Sequence, residues 1–239
     1  MLNMNCKILI PFSDNENGNR SNILKTVIKN LNPLPFEIII GVWNNPLNKK
    51  LEQSLTLQNI KIINLKTYDF ISTFNQLVKI TNTDIICFHC ADCLCPNQKQ
   101  YIKTYKLAKE NNIVNPFSKP FVEVKHDPNF NPNNYKHLIK WELNHYYCGG
   151  IFFVQKSIFL KIGMLNENIK HWGPDDKCLI RQANAFGIKR KTIDGPILHF
   201  QHNRNNKHKK YSKQNKEEFR KLSTMTNEKA REYIDTWKF

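Results

Sequence analysis

The stretch Asp84-Ile-Ile-Cys-Phe-His-Cys-Ala-Asp92 decides the fold. Asp84–Phe88 reads as a strand with no solvent face, and a carboxylate follows shortly after it ends. Such a strand belongs inside a sheet covered by helices on both sides. The chain around it supplies that sheet. Upstream, Lys7–Phe12, Phe36–Val42 (FEIIIGV) and Ile60–Leu65 are short β-branched runs. Helical periodicities separate them: Ser21–Leu31 gathers Ile23, Leu24, Val27, Ile28 and Leu31 on one face, and Phe70–Ile80 gathers Phe70, Ile71, Phe74, Leu77 and Val78. Strands spaced by helices predict an α/β fold with a mostly parallel sheet and right-handed crossovers. Ligands on such sheets sit beyond the carboxyl ends of the strands. Attention therefore falls on the residues after Phe12, Val42 and Phe88.

Downstream the pattern is less regular. Residues 111–132 are rich in Asn and Pro and read as loops around a strand at Phe121–Lys125. Gly149-Gly150 opens the apolar run Ile151-Phe-Phe-Val154, and a helix follows from about Lys156. Pro174 occupies the first position of a further helix that runs to about Phe186 and stops at Gly187. A strand at Lys189–Ile193 leads through Gly195-Pro196 to Ile197-Leu198-His199. Beyond residue 203 the chain is basic and then helical, without the apolar residues for a second core. The expected organisation is one domain over residues 1–203 and a basic, helical C-terminal tail over 204–239.

Composition narrows the function classes. A chain of 239 residues with 40% hydrophobic residues and 15 Phe is the size of one large domain with a real core. No apolar run approaches the roughly 20 residues that span a bilayer. The start, Met1-Leu-Asn-Met-Asn-Cys-Lys, lacks the layout of a secretory signal, so a cytoplasmic protein is expected. Seven Cys are then mostly thiols. Cys87, Cys90, Cys93 and Cys95 cluster beside His89, but the CxxC pairs overlap and no second pair stands at zinc-ribbon distance, so buried strand thiols are the favoured reading. Formal charge is +16, with Arg204, Lys207, Lys209, Lys210, Lys213 and Lys216 preceding the next acid, Glu217. That run is read as a solvated tail or a peripheral contact with an anionic membrane. A nucleic-acid surface would interleave aromatics with the basic residues. Tyr211 alone does so here, and no nucleic-acid partner is expected.

Three stretches carry chemistry. Asp92, at a strand's carboxyl end, is placed to hold a divalent cation against a diphosphate. His171-Trp172-Gly-Pro-Asp175-Asp176 puts two carboxylates in the first turn of a helix directly after a Trp. One acid there complements the helix dipole; two beside Trp-Gly suggest a carboxylate that takes a hydroxyl proton and an indole that stacks on a sugar ring. In Leu198-His199-Phe-Gln-His202-Asn-Arg204, two imidazoles can complete a metal site with Asp92. A regular strand sends positions 199 and 202 to opposite faces, so joint ligation needs a bend; either His or both remain candidates.

Together these stretches resemble the glycosyltransferases of the GT-A fold, and most closely the β-1,4-galactosyltransferase family and related family 2 enzymes such as the bacterial chondroitin polymerases. Ile8-Leu-Ile-Pro11-Phe12 with Ser13 and Arg20 looks like the family's opening strand and donor loop. Asp92 falls on the second acid of the DxD motif. Cys148-Gly-Gly150-Ile-Phe-Phe resembles the strand before the acceptor site. Gly163-Met-Leu-Asn-Glu-Asn, Trp172-Gly-Pro-Asp-Asp176 and Arg181 resemble the signature around the catalytic acid, and His199-Phe-Gln-His202-Asn-Arg204 the closing metal-ligand segment.

The resemblance implies a single Rossmann-like GT-A domain with a mixed, mostly parallel central sheet flanked by helices. It implies an inverting, metal-dependent transfer of a hexose or N-acetylhexosamine, galactose-type favoured, from a UDP-sugar to a glycan or lipid-linked saccharide acceptor. Mn²⁺ or Mg²⁺ would be held by Asp92 with His199, His202 or both. Pro11, Phe12, Ser13, Arg20 and Asp92 would bind donor, and Trp172, Gly150 and Asp175 acceptor. Asp176 would be the catalytic base, with Asp175 beside it orienting the acceptor. The chain departs from the pattern at Cys90 (the first DxD acid), at Pro174, at Lys177 and at Val42-Trp43-Asn44, where an acid is usual. Those departures define the alternative reading, a catalytically degenerate partner subunit of the same fold.

Overall fold

The computed structural model describes residues 5–14, 19–43, 49–56, 60–143, 149–171, 173–202 and 207–237. The first half runs β1 (Cys6–Phe12), α1 (Asn19–Leu31), β2 (Glu37–Val42), α2 (Lys49–Thr56), β3 (Lys61–Asn64), α3 (Phe70–Ile80), β4 (Ile85–His89), β5 (Cys93–Leu94) and α4 (Gln98–Ala108). The second runs β6 (Ile113–Asn115), β7 (Phe121–Val124), a 3₁₀ turn (Lys136–Leu138), β8 (Ile139–Leu143), β9 (Ile151–Gln155), α5 (Lys156–Lys161), α6 (Asp175–Ala185), β10 (Arg190–Thr192), β11 (Ile197–Phe200), α7 (Lys207–Thr224) and α8 (Asn227–Asp235).

Seven of the described strands form the main sheet in the order β10-β6-β9-β4-β1-β2-β3. β1 pairs in parallel with β2 and β4, and β2 with β3, as βαβ crossovers dictate. β9 runs antiparallel between β4 and β6, which makes the sheet mixed. A smaller sheet, β5-β11-β7-β8, stands beside it.

Alternation along β1 explains the two-sided burial. Ile8, Ile10 and Phe12 enter one apolar layer with α1 and α4; Leu9 enters the opposite layer with α3 and α6. The second layer is rich in rings: Phe74 meets Phe88 edge-on at 4.7 Å, and Phe88 stacks on Phe152 at 5.1 Å. Helix starts follow capping chemistry. Asp69 caps α3 by accepting from the Ser72 N–H at 2.9 Å, and Asn97 with Gln100 forms a capping box on α4.

The C-terminal helices join this same core. Leu222 of α7 and Ala230 and Ile234 of α8 are buried in the α3/α6 layer. Gly163 sits at φ +86°, and a Cβ there would come within 2.5 Å of Ile234 Cγ2, so only glycine lets α8 lie so close. Tyr233 donates to both oxygens of Glu218 at 2.9 and 3.0 Å, and Asn166 donates to the same carboxylate at 2.8 Å. No described helix is long and apolar enough to cross a membrane.

Candidate active site

Two groups of side chains lie along one edge of the main sheet, where β1 and β4 end. At the end of β1, Pro11 and Phe12 are buried in register with Gly41 and Val42, and Ser13 follows. Arg20, in the first turns of α1, donates from Nη1 to the Ser13 carbonyl at 3.0 Å and lies over the Phe12 ring at 5.9 Å. Its Nη2 reaches Asp92 Oδ2 at 3.7 Å. Its Nε is buried and has no hydrogen-bond partner among the described residues. A guanidinium tethered at one end with a donor unused fits an anionic oxygen arriving over the β1 terminus.

Asp92 lies in the turn between β4 and β5, and its carbonyl accepts from the Phe200 N–H at 2.8 Å. That bond closes the end of β11 over it. β11 stops at Phe200, and the chain leaves strand geometry before His202. This is the bend that joint ligation requires. The ligand atoms of Asp92, His199 and His202 accordingly all lie within 4.8 Å of one another, and His202 Nε2 is 2.9 Å from Asp92 Oδ2. Donors bound at about 2.1–2.2 Å to one ion stand about 3 to 4.4 Å apart, so a shift of a few tenths of an ångström completes a site of one carboxylate oxygen and two imidazole nitrogens. That donor set suits a divalent ion such as Mn²⁺. Burial pushes the Asp92 pKa up, but the His202 hydrogen bond and the charges of His199 and Arg20 outweigh it and hold the carboxyl well below the usual range.

Glu123, in β7, stands behind this cluster. It is buried, its Oε2 is 3.8 Å from His199 Nδ1, and Phe121 stacks on the His199 ring at 5.5 Å. The sequence reading passes over Glu123. Its signal was an acid inside an apolar strand, Phe121-Val-Glu-Val124, where burial without a partner is costly.

The second group is the acid pair. α6 begins at Asp175, with Pro174 at the cap, and both Asp175 and Asp176 sit in the first turn. The loop before it is clasped from two sides. Asp69 Oδ2 accepts from the His171 N–H at 3.2 Å, and the Asn215 side chain of α7 bonds both the N–H and the carbonyl of Lys170 at 2.9 Å. Asp69 caps α3, whose Phe70 ring lies 6.5 Å from Phe88 near the end of β4, so the loop leading to the acids reaches the edge where Asp92 lies. Asp175 is pushed up to about 8 by burial, then by the charge of Asp176 and, more weakly, of Asp69. Asp176 Oδ1 accepts from the Lys177 N–H at 2.7 Å. Asp69 is the other residue the sequence reading left unassigned; an Asp before Phe70-Ile-Ser carried an N-cap signal and nothing more.

Gly150 lies against the end of β4, its carbonyl accepting from the Cys90 N–H at 2.8 Å. Arg181 ties α6 to α8, donating to Asn227 Oδ1 at 3.0 Å and the Met225 carbonyl at 2.7 Å. Lys177 is exposed. Cys87 and Cys95 are buried thiols, and His89 is a core imidazole bonded to the Tyr101 hydroxyl at 3.0 Å and pushed down to about 4 by burial. Trp172, Cys148, Asn44, Arg204 and the side chains of Lys207 and Lys209 lie outside the described residues.

Solved structures share this architecture. The chain is similar to GalNAc-T7 with UDP, GalNAc and Mn²⁺ (TM-score 0.60, 13% identity, 83% of this chain and 43% of that one). It is similar to TarS of S. aureus (0.59, 12%, 83% and 37%). It also resembles the mannosyltransferase PcManGT from Pyrobaculum calidifontis with GDP-Man and Mn²⁺ (0.58, 11%, 84% and 58%). The chain thus spans between about a third and three fifths of the length of these proteins. No protein-family model and no curated protein matches the sequence. The fold is the GT-A fold: a mixed, mostly parallel sheet flanked by helices. At these identities the likeness speaks for the fold, and no particular family within it, galactosyltransferase or other, is singled out.

Proposed function

We propose that the chain is a metal-dependent, inverting glycosyltransferase that moves a hexose or N-acetylhexosamine from a nucleotide-sugar donor to a sugar hydroxyl. The observation that carries this reading is the convergence of Arg20, Asp92, His199 and His202 at the ends of β1 and β4. That is where a sheet of this kind binds a nucleoside diphosphate. UDP with GalNAc and GDP-Man with Mn²⁺ in two similar structures support a nucleotide-sugar donor. A UDP-sugar is favoured, with a galactose-type sugar resting on the motif resemblance alone.

Pro11, Phe12 and Ser13 form the floor under the donor, and Arg20 pairs with its phosphates through the donor left unused at Nε. Asp92, His199 and His202 would hold Mn²⁺ or Mg²⁺, which when bound supplies Lewis-acid stabilisation of the charge that grows on the leaving diphosphate. Glu123 places its carboxylate 3.8 Å from His199 Nδ1, and a small closing movement would let it orient the ring as carboxylates behind metal-bound imidazoles do. Burial raises Asp175 to about 8, so at neutral pH it keeps its proton. Asp176 takes the proton of the acceptor hydroxyl, and neutral Asp175 donates a hydrogen bond that orients the acceptor. Gly150 and Trp172 complete the acceptor side. One in-line displacement inverts the anomeric centre.

The exposed Lys210, Lys213, Lys216, Arg220 and Lys221 of α7 support peripheral contact with an anionic, cytoplasmic membrane face that carries a lipid-linked acceptor. Sedimentation with anionic liposomes at low salt tests it, and its absence there removes that part. Cys90 favours a second reading, a partner subunit that keeps the fold without turnover. Release of free nucleoside diphosphate from a panel of UDP- and GDP-sugars, with Mn²⁺ and with EDTA, separates the two: metal-dependent release supports the enzyme, and none from any donor supports the subunit.

A further inference from the structure

The turn that carries Asp92 offers a second set of metal donors that the proposed reaction does not use. Cys90 and Cys93 flank Asp92 as a CxxC pair, and the two sulfurs and an Asp92 oxygen all lie within 4.8 Å of one another. The Cys93 N–H bonds the Cys90 carbonyl at 3.3 Å, which folds the pair into one tight turn, and Cys93 Sγ lies 3.6 Å from Asp92 Oδ1. Cys90 is half-buried, so the cluster opens to solvent at one corner, and β5, carrying Cys93, is held in place by β11. The remaining thiols of the segment, Cys87 and Cys95, are fully enclosed in the core.

The geometry points to a binding site for a thiophilic divalent cation, Zn²⁺ or Cd²⁺, formed by Cys90, Cys93 and Asp92. CxxC is the spacing that lets two sulfurs meet one tetrahedral ion. Three protein ligands leave a fourth position for water or a phosphate oxygen. The two thiols release their protons to solvent as the ion enters. Soft sulfur selects Zn²⁺ over Mn²⁺, whereas the oxygen and imidazole donors of Asp92, His199 and His202 accept either. Because Asp92 belongs to both sets, a thiophilic ion on the sulfur side withdraws it from the imidazole side. Zn²⁺ therefore antagonises Mn²⁺ at this edge of the sheet, whatever reaction is run there.

The test is a titration of the purified, reduced full-length chain with Cd²⁺ alone, read by the ultraviolet sulfur-to-cadmium charge-transfer absorbance, with Zn²⁺ competing against it. One equivalent of Cd²⁺ should develop the band; Zn²⁺ should remove it at comparable concentration, and Mn²⁺ only weaken it at large excess, through competition for Asp92. Cys90→Ser, a change at the open corner, should weaken Cd²⁺ by at least about tenfold while Mn²⁺ binding persists. Cys148→Ser should leave the band intact. No band, or a band that survives Cys90→Ser and Cys93→Ser together, or one lost on Cys148→Ser instead, overturns the assignment. These readouts need no donor or acceptor, so they stand apart from the glycosyltransferase reading.

Discussion

The side-chain amide of Asn215 clasps Lys170 at two points, accepting from its N–H at 2.9 Å and donating to its carbonyl at 2.9 Å. Asn215 is fully buried, and a Cβ on Gly173 would fall 2.9 Å from its Nδ2, so the loop before the acid pair is moulded to α7. Asn215→Ala leaves both Lys170 groups without that partner, a loss of about 1–3 kcal/mol. Thermal melts should show the destabilisation. Turnover should fall further than donor affinity, since it is the acid loop that loosens.

Asp176→Asn should lower turnover by orders of magnitude while nucleotide-sugar binding, measured by calorimetry, survives. Equal loss of both argues against the role of proton acceptor.

Asp175 gives the pH dependence. Its folded pKa of about 8 lies above the ordinary 3.8, so the protonated form favours the fold. That contribution is complete below about pH 4 and is lost as pH rises through 8. Activity should fall above about pH 8 as Asp175 loses its proton and its hydrogen bond to the acceptor. Asp175→Asn keeps a donor, so it should flatten the alkaline limb and raise the melting temperature at pH 8. An activity that climbs through pH 8 would assign the proton-accepting role to Asp175 instead.

Removal of α7 and α8 exposes the α6 surface that Leu222, Ala230 and Ile234 cover. A chain ending at residue 206 should be insoluble or bind a dye for exposed apolar surface. A soluble, cooperatively melting product would show that residues 1–206 fold without α7 and α8.

Much of this was legible from period and position. β1, β2, α3 and β4 follow alternating or 3.6-residue apolar patterns that burial enforces, and structure and sequence differ there by at most one residue at each end. β5 and β6 were not legible, since two or three residues carry no period and exist through their partners. β8 does alternate, Ile139-Lys-Trp-Glu-Leu143, but five residues that end up largely exposed are easily passed over as loop. The tail read as too poor in apolar residues for a core of its own; Leu222 and Ile234 instead complete the core beside α6. At the site, Asp92 and the two His were visible as chemistry, and the end of β11 at Phe200 supplies the bend that unites them. Asp69 and Glu123 were hidden because their roles arise only through contacts distant in sequence.

The most direct test is release of free UDP from UDP-sugars by the purified chain with Mn²⁺, repeated with EDTA and with Asp92→Ala. Slow hydrolysis of one donor, abolished by both EDTA and Asp92→Ala, is the expected result. Release that persists in either would contradict a metal held by Asp92 at the end of β4.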